Sequence, residues 1–405
     1  MIDIKLNGDL WVLPKEIAVN TAGCDFNLFN LETPIIENKE LTKRKKAGPH
    51  IHGLIDDFQN LYNTLPNPIF SLANNHIMDF GDNGLETTIS ACQNFSYKYL
   101  GAGNDITSAK TPIILNQNGI KIGILARCET QFGIASPWKS GVAFLDYTLY
   151  HSIQSLKSKC DFVIISIHGS AEMSPWPSPK WQDYLRSLID TGADIIYGHH
   201  SHVPQGYENY KDRFIFYGLG NFLVDPGEWN HYSNTLWSIT PIIKFDQAKL
   251  SCLIKTTVIE EINQKITVRE SDEQEYEKHL FYLESCNAPL YNRQQLEGLW
   301  QEFSIRMYNS CYSQWLGFNR KQKNDQISLQ KIIRSKIRNL KETIFNSNNP
   351  IESNHPTTNQ LMLWYHLFAC ESHNDAISTA LGVLSGEVDD LRTNDISLMI
   401  DEMIK

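Results

Sequence analysis

Short apolar runs alternate with amphipathic stretches through the first two-thirds of the chain, and that alternation predicts strands separated by helices. Residues 4–6 read as a strand ending at Gly8-Asp9, residues 26–31 as a second, and residues 68–72 as a third that stops at Ala73-Asn74-Asn75-His76. A helical stretch over 84–95 follows, and residues 120–126 and 162–167 are β-rich and bounded by polar residues. In 181–191, Tyr184, Leu185, Leu188 and Ile189 share one helical face, and Gly192 supplies the stop. Strands are predicted again at 195–197 and 214–217, and 235–245 with 250–258 read as closing antiparallel strands. This order indicates an α/β protein, and the later hairpin-like strands point to a layered sandwich. From about Glu270 the pattern turns helical, with a breaker cluster at Asn346-Ser347-Asn348-Asn349-Pro350. The predicted organisation is a domain over 1–265 and a helical region over 266–405.

Composition narrows this little. Apolar residues make up 41% and charged residues 20% of the 405, as in ordinary globular proteins. A formal charge of -10 repels polyanions, so nucleic-acid binding is not expected. The start, Met1-Ile2-Asp3-Ile4-Lys5-Leu6, lacks the basic and apolar regions of a signal peptide. No run approaches the roughly 20 apolar residues that cross a bilayer. The eight scattered cysteines form no CxxC pair and read as reduced core thiols. A cytoplasmic location without a membrane span is the expectation.

The polar residues fall in informative places. Asp9, Glu32, Asn75-His76, His168 and His200-Ser201-His202 each sit at the C-terminal end of a predicted strand, the edge of an α/β sheet where ligands bind. Singly, each has an ordinary explanation as a cap, a turn or a structural histidine. Five such places in one chain favour a shared site, and a His-x-His pair lets two imidazoles reach one ion. Asp9, Glu32, Asn75, His168, His200 and His202 are therefore the candidate metal ligands. Carboxylate, amide oxygen and imidazole without cysteine suit one or two divalent transition-metal ions (Mn, Fe, Zn or Ni) rather than a structural zinc. Two ions roughly 3.5–4 Å apart would clamp an in-line attack on phosphorus.

Six segments resemble motifs of the CapA (poly-γ-glutamate capsule synthesis) family. They are Asn30-Leu31-Glu32, Ala73-Asn74-Asn75-His76-Ile77-Met78-Asp79-Phe80-Gly81, Ser166-Ile167-His168-Gly169, Pro175-Trp176-Pro177-Ser178-Pro179, Gly198-His199-His200-Ser201-His202-Val203 and Tyr217-Gly218-Leu219-Gly220-Asn221-Phe222. That family belongs to the calcineurin-like metallophosphoesterase superfamily. The resemblance spans roughly residues 1–260 and implies a four-layer α/β/β/α sandwich, here with a C-terminal helical extension. It implies that Asp9 and His202 hold one ion, that Asn75, His168 and His200 hold the other, and that Glu32 bridges them in place of the usual aspartate. The superfamily's Asp-x-His motif is here Asp9-Leu10-Trp11, so one imidazole is missing and the first site is the weaker. The resemblance also implies that His76 faces the leaving group as a catalytic acid, oriented by Asp79. A plainer alternative makes Asp79 a helix cap.

Glu172, Asn221 and Arg127 are candidate substrate contacts. Glu172 reads as a partner of the ligands, a substrate contact or a loop carboxylate in water. Asn221 is placed to line the cleft, and Arg127 to hold a substrate anion or a salt bridge. His50 and His52 are assigned to a surface loop near the cleft, residues 175–179 to a rigid rim loop, and the Lys43-Arg44-Lys45-Lys46 run to a solvated loop. A basic stretch over 320–341 reads as an exposed helix face with a buried stripe. The resulting expectation is a metal-dependent hydrolase of phosphoric esters tied to capsule or surface-polymer biosynthesis. Its substrate would be an anionic small molecule or polymer, with polymer-synthesis proteins as candidate partners. Two other readings stay open: hydrolysis or transfer at an amide or acyl centre of γ-linked glutamate, and a non-catalytic assembly factor binding a polymer synthase through its helical tail.

Overall fold

The computed structural model describes every residue except 39, 63, 248, 318–355 and 405. The basic stretch 320–341 and the breaker cluster 346–350 lie outside the described residues. Two sheets lie face to face. The first runs Lys249–Leu253, Ile242–Asp246, Ile2–Leu10, Phe26–Leu31, Pro68–Ser71, Lys98–Leu100, with Asn221–Leu223 paired onto the end of Ile2–Leu10. The second runs Tyr207–Tyr210, Arg213–Phe216, Ile195–His199, Phe162–His168, Ile120–Cys128, Ile113–Gln117. The central strands of each sheet are parallel, so their C-terminal ends share an edge.

Phe162–His168 illustrates why these runs form buried strands. It is buried along its whole length, as a parallel strand covered on both faces must be. Ile164 packs between the sheets with Ile4 and Leu28, whereas Val163, Ile165 and Ile167 pack outward beneath Leu185 and Leu188. The two-residue period thus divides one apolar run between two cores. Phe162 and Phe245 meet across the sheets with ring centroids 4.9 Å apart. Helices Ile55–Tyr62 and Gly81–Asn94 cover the first sheet, with Phe58 on Phe70 at 5.9 Å, and Thr148–Lys157 and Pro179–Thr191 cover the second. The architecture is the α/β/β/α sandwich expected from the sequence. Local signals bound the Pro179–Thr191 helix: the Ser178 hydroxyl accepts the Trp181 N–H at 3.1 Å, and Gly192 ends it at φ 124°.

The stretch 235–245 is two strands, not one. Trp237–Ile239 joins a sheet with Thr256–Ile262, Lys265–Glu270 and Glu16–Asn20, while Ile242–Asp246 joins the first sheet. Pro241 sits at the switch and has no N–H to carry a ladder through it. The β-structure therefore continues past residue 265 to Glu270.

Beyond it come the helices Glu273–Asn287, Arg293–Met307, Thr358–Ala369, Glu371–Ser385 and Asn394–Met403. Leu296, Phe303, Leu367, Ile377 and Ile400 form their core, which also takes in Trp176. Residues 175–179 are thus buried rather than a rim: Trp176 is 3% exposed and its indole N–H donates to the Ser285 carbonyl at 3.3 Å. No helix among the described residues is long and apolar enough to cross a membrane.

A buried carboxyl joins the two parts. Glu129 follows the Ile120–Cys128 strand and accepts the Ser372 N–H at 2.9 Å and the Ser372 hydroxyl at 3.0 Å, at the start of the Glu371–Ser385 helix. The Thr130 N–H and hydroxyl donate in return to Glu371 at 2.7 and 2.9 Å. Burial, with the Glu371 charge, pushes the Glu129 carboxyl up to about 8 against donors that pull it down. The unfolded chain releases that proton near 4.5, so this group's contribution to stability falls as pH rises from about 4.5 to about 8. Thermal unfolding across that interval should show the decline, and Glu129→Gln should flatten it and gain a few kcal/mol over the parent at the alkaline end.

Candidate metal centre

The shared strand edge gathers the expected ligands. Register sets Cys128, His168 and His199 side by side, and pairs Asp9 with both Asn30 and Asn221. Gly8 makes the last pairing possible: a Cβ there would lie 1.9 Å from the Gly220 carbonyl oxygen. Asp9 and Glu32 are fully buried. Asp9 accepts the Asn30 side-chain N–H at 2.8 Å and the His200 backbone N–H at 3.2 Å, and His199 Nδ1 lies 3.2 Å away. Burial opposes its charge, but the close approach of His199, the neighbouring His202 and the Asn30 amide hold its carboxyl below the usual range.

Glu32 accepts the Trp11 indole N–H at 2.6 Å, so the residue standing where the superfamily motif has a histidine is tied to the carboxylate expected to bridge. Glu32 Oε1 lies 3.9 Å from His168 Nε2 and 3.8 Å from His202 Nε2. His168 Nδ1 is 3.2 Å from the Asn30 amide, while its Nε2 is 2.9 Å from Asn75 Oδ1. Burial and the surrounding histidines drive His168 well below the usual histidine range, into the neutral form that ligates metals. His200 and His202 lie in the left-handed region at φ 84° and 57°, a costly backbone that aims both rings into the site. The His168 and His200 rings are 4.7 Å apart. Asp9, Glu32 and His202 each bring a ligand atom within 4.8 Å of the others, and so do Glu172, His200 and His202.

This donor set fits a divalent cation. Two wholly buried carboxyl groups stand among imidazoles, and a cation held between them would offset the several kcal/mol that burying such charge costs. Carboxylate, amide oxygen and neutral imidazole are the ligands of Mn, Fe and Zn.

The second expected pair is also assembled. His76 Nδ1 lies 2.9 Å from Asp79 Oδ2, which also accepts the Ile51 N–H at 2.9 Å. Phe80 occupies the N-cap of Gly81–Asn94 and makes no side-chain cap bond, so Asp79 serves His76 and not the helix end. Lys46 makes an ion pair with Asp79 and places its ammonium 3.1 Å from His76 Nδ1. The basic run read as solvated therefore ends in a buried lysine. Burial and Lys46 hold His76 below the usual histidine range, with Asp79 opposing. Burial works against the charge on Asp79 as well, but Lys46 and His76 keep it low.

Two expected substrate contacts are placed elsewhere. Arg127 is 1% exposed, shares the helix-side face of its strand with Leu125, and donates to the Ala126 carbonyl at 2.8 Å. Strand alternation points it away from the cavity. Asn221 is fully buried; its Oδ1 is 2.9 Å from His202 Nδ1 and its amide donates to the Thr235 carbonyl at 3.1 Å. It holds a ligand's ring rather than lining the cleft. Glu172, half-buried, does line the cavity, as do His50 and His52.

That cavity, of about 820 Å³, has Asn75, His76, His200 and His202 on its floor. Trp11, Trp229 and Tyr232 form one wall, and Phe303, Met307, Tyr312, Leu363, His366 and His373 of the helical region form another. Sequence reasoning missed His199, Lys46 and this second wall. The Gly198–Val203 motif contained His199, but its spacing carried no sign that it backs Asp9.

A family model described as "Bacterial capsule synthesis protein PGA_cap" matches residues 13–226. Capsule biosynthesis protein CapA of Bacillus anthracis is 31% identical over 212 residues, covering 50% of this chain and 51% of that protein. PGA biosynthesis protein CapA of Bacillus subtilis is 30% identical over 208 residues, covering 50% and 54%. A probable polyglutamine synthesis accessory protein of Mycobacterium tuberculosis is 30% identical over 233 residues, covering 53% and 60%. The chain thus spans about half the length of the curated relatives it matches.

Asn221→Ala, which removes the support of His202, should weaken Mn²⁺ binding about 10–100-fold. Titration calorimetry on metal-free protein measures this; an unchanged affinity would mean that Asn221 does not hold the ring for an ion.

Proposed function

The chain belongs to the bacterial capsule synthesis protein PGA_cap family, and from its site we propose that it is a metal-dependent hydrolase of phosphoric esters acting in capsule or surface-polymer biosynthesis. The observation that carries this reading is the convergence of two buried carboxyl groups and His168 directly behind His200 and His202, which lie on the floor of a roomy cavity. Asp9, Glu32 and His202 would hold one divalent ion, and Asn75, His168 and His200, with Glu32 between, the other. When bound, such ions supply Lewis acidity and positive charge beside a phosphoryl group.

The chain's own residues do the rest. Asn30, His199 and Asn221 orient Asp9, His168 and His202, so the donor atoms are preorganised. In its protonated form His76 would carry one proton on Nδ1, held by Asp79, and a second on Nε2, which it would give to the departing oxygen, leaving the neutral imidazole. Lys46 keeps Asp79 ionised and adds positive charge beside an incoming anion. The aromatic and aliphatic walls exclude water and strengthen these interactions.

An accessory role in polymer assembly is the second reading, favoured by the outward-facing Leu361, Phe368, Leu384 and Leu398 of the terminal helices. The two are separated by assay on an aryl phosphodiester and an aryl phosphomonoester with Mn²⁺. His76→Ala should lose about 10²–10⁴ in rate while keeping its metal. A metal-loaded protein that turns over neither ester, or that cleaves only a γ-glutamyl amide, would sink the phosphoesterase reading.

A further inference from the structure

We propose that Glu172 is a metal ligand, completing from the cavity side the ion site that Trp11 leaves one imidazole short. This rests on the reading of the strand-end cluster as a metal centre.

Trp11 cannot serve as a ligand. Its indole nitrogen is a donor only, and its N–H is spent on Glu32 at 2.6 Å. The ion on His202 therefore needs a further donor from elsewhere. His202 Nδ1 lies 2.9 Å from Asn221 Oδ1 and 3.5 Å from Asp9 Oδ2, and its Nε2 lies 3.8 Å from Glu32 Oε1. Two groups of ligand atoms meet at that histidine: Asp9 with Glu32, and Glu172 with His200, each group within 4.8 Å. Glu172 therefore stands within reach of an ion held by His202 together with His200.

The backbone shows that Glu172 is placed rather than left in solvent. Ser170 and Met173, on either side of it, are both left-handed, at φ 91° and 62°. Neither is glycine, and such a conformation costs on the order of 1–3 kcal/mol per residue. The Met173 N–H donates to the Ser201 carbonyl at 2.9 Å, which ties this turn to the loop carrying His200 and His202. Gln205 braces the other side, its amide donating to the Ser170 hydroxyl at 3.2 Å and to the Ser174 carbonyl at 2.9 Å. A solvated carboxylate would require none of this scaffolding. With Glu172 the centre has three carboxylates around His200 and His202, an oxygen-rich donor set that suits Mn²⁺ better than Zn²⁺.

The test titrates the full-length, metal-free protein with Mn²⁺ by calorimetry and records the visible absorption of the Co²⁺-loaded form, which reports the ligand set directly. Glu172→Gln keeps the shape but weakens the donor. It should bind one ion about 100-fold more weakly and shift the Co²⁺ bands, while Glu172→Asp should fall between it and the parent. Parent-like affinity and superimposable Co²⁺ spectra in Glu172→Gln would overturn the proposal, leaving the metal centre intact. Equal losses in both variants, with a lowered thermal midpoint of the metal-free proteins, would assign Glu172 a structural role and also overturn it. A parent protein that binds neither Mn²⁺ nor Co²⁺ would overturn the metal centre itself and Glu172's place in it.

Discussion

Two carboxyl groups that never meet water set the terms for everything around them. Asp9 and Glu32 are both fully buried and present their oxygens to the same histidine. The donors that reach them from the protein are hydrogen-bonding groups: the Asn30 amide, the His200 N–H and the Trp11 indole. Such bonds reduce the cost of burying an anion but do not cancel its charge. Lys46, the buried ammonium near the cluster, is committed to Asp79. Burial, with the imidazoles around it, holds His168 well below the usual histidine range. A divalent ion is the species that the cluster's oxygens and imidazoles suit.

The backbone around the cluster is bent to keep it in place. Ser170, Met173, His200 and His202 all occupy the left-handed region without being glycine. Gly8, by contrast, has its type forced on it, since the Gly220 carbonyl fills the space of a side chain. Strain gathered on the two loops at the sheet edge, with a regular and fully buried sandwich beneath them, is the division of labour expected of a functional site. The strands are stable enough to support loops that would not adopt these conformations alone.

Much of this was legible in the sequence, for a definable reason. Parallel strands buried on both faces read as apolar runs, and a run ending in Asp, Asn or His announces its own end; that is how Asp9, Asn75, His168 and His200 could be picked out. The same property hid Arg127. In a strand buried on both sides, neighbouring positions look alike, so the face on which a residue points cannot be read until the layers are known. Asn221 sits inside a recognisable motif, but only the pairing of its strand with Asp9 shows that it braces His202. Lys46 looked like the end of a solvated basic run because its partners, His76 and Asp79, lie 30 and more residues away. The join between Glu129 and Ser372 spans 243 positions and has no local signature. Contacts of that range are decided by the tertiary fold and not by spacing.

The helical region bears on the chemistry as well as on the packing. Its Phe303, Met307, Tyr312 and Leu363 face the same cavity as His76 and His200, and its own core encloses Trp176 from the sandwich. A tail serving solely as a tether would gain nothing by placing apolar side chains over a charged centre. Those side chains displace water from the cavity, and interactions among charges strengthen as the local dielectric falls. The His366–His373 pair, 3.0 Å apart with the Tyr312 hydroxyl 2.8 Å from His373, brings polar groups to an otherwise greasy wall. The cavity thus joins a polar floor and Lys46 to walls of aromatic and aliphatic side chains. The family match covers residues 13–226, which carry Asn75, His76, His200 and His202 of the floor, while this helical wall comes from residues beyond that span.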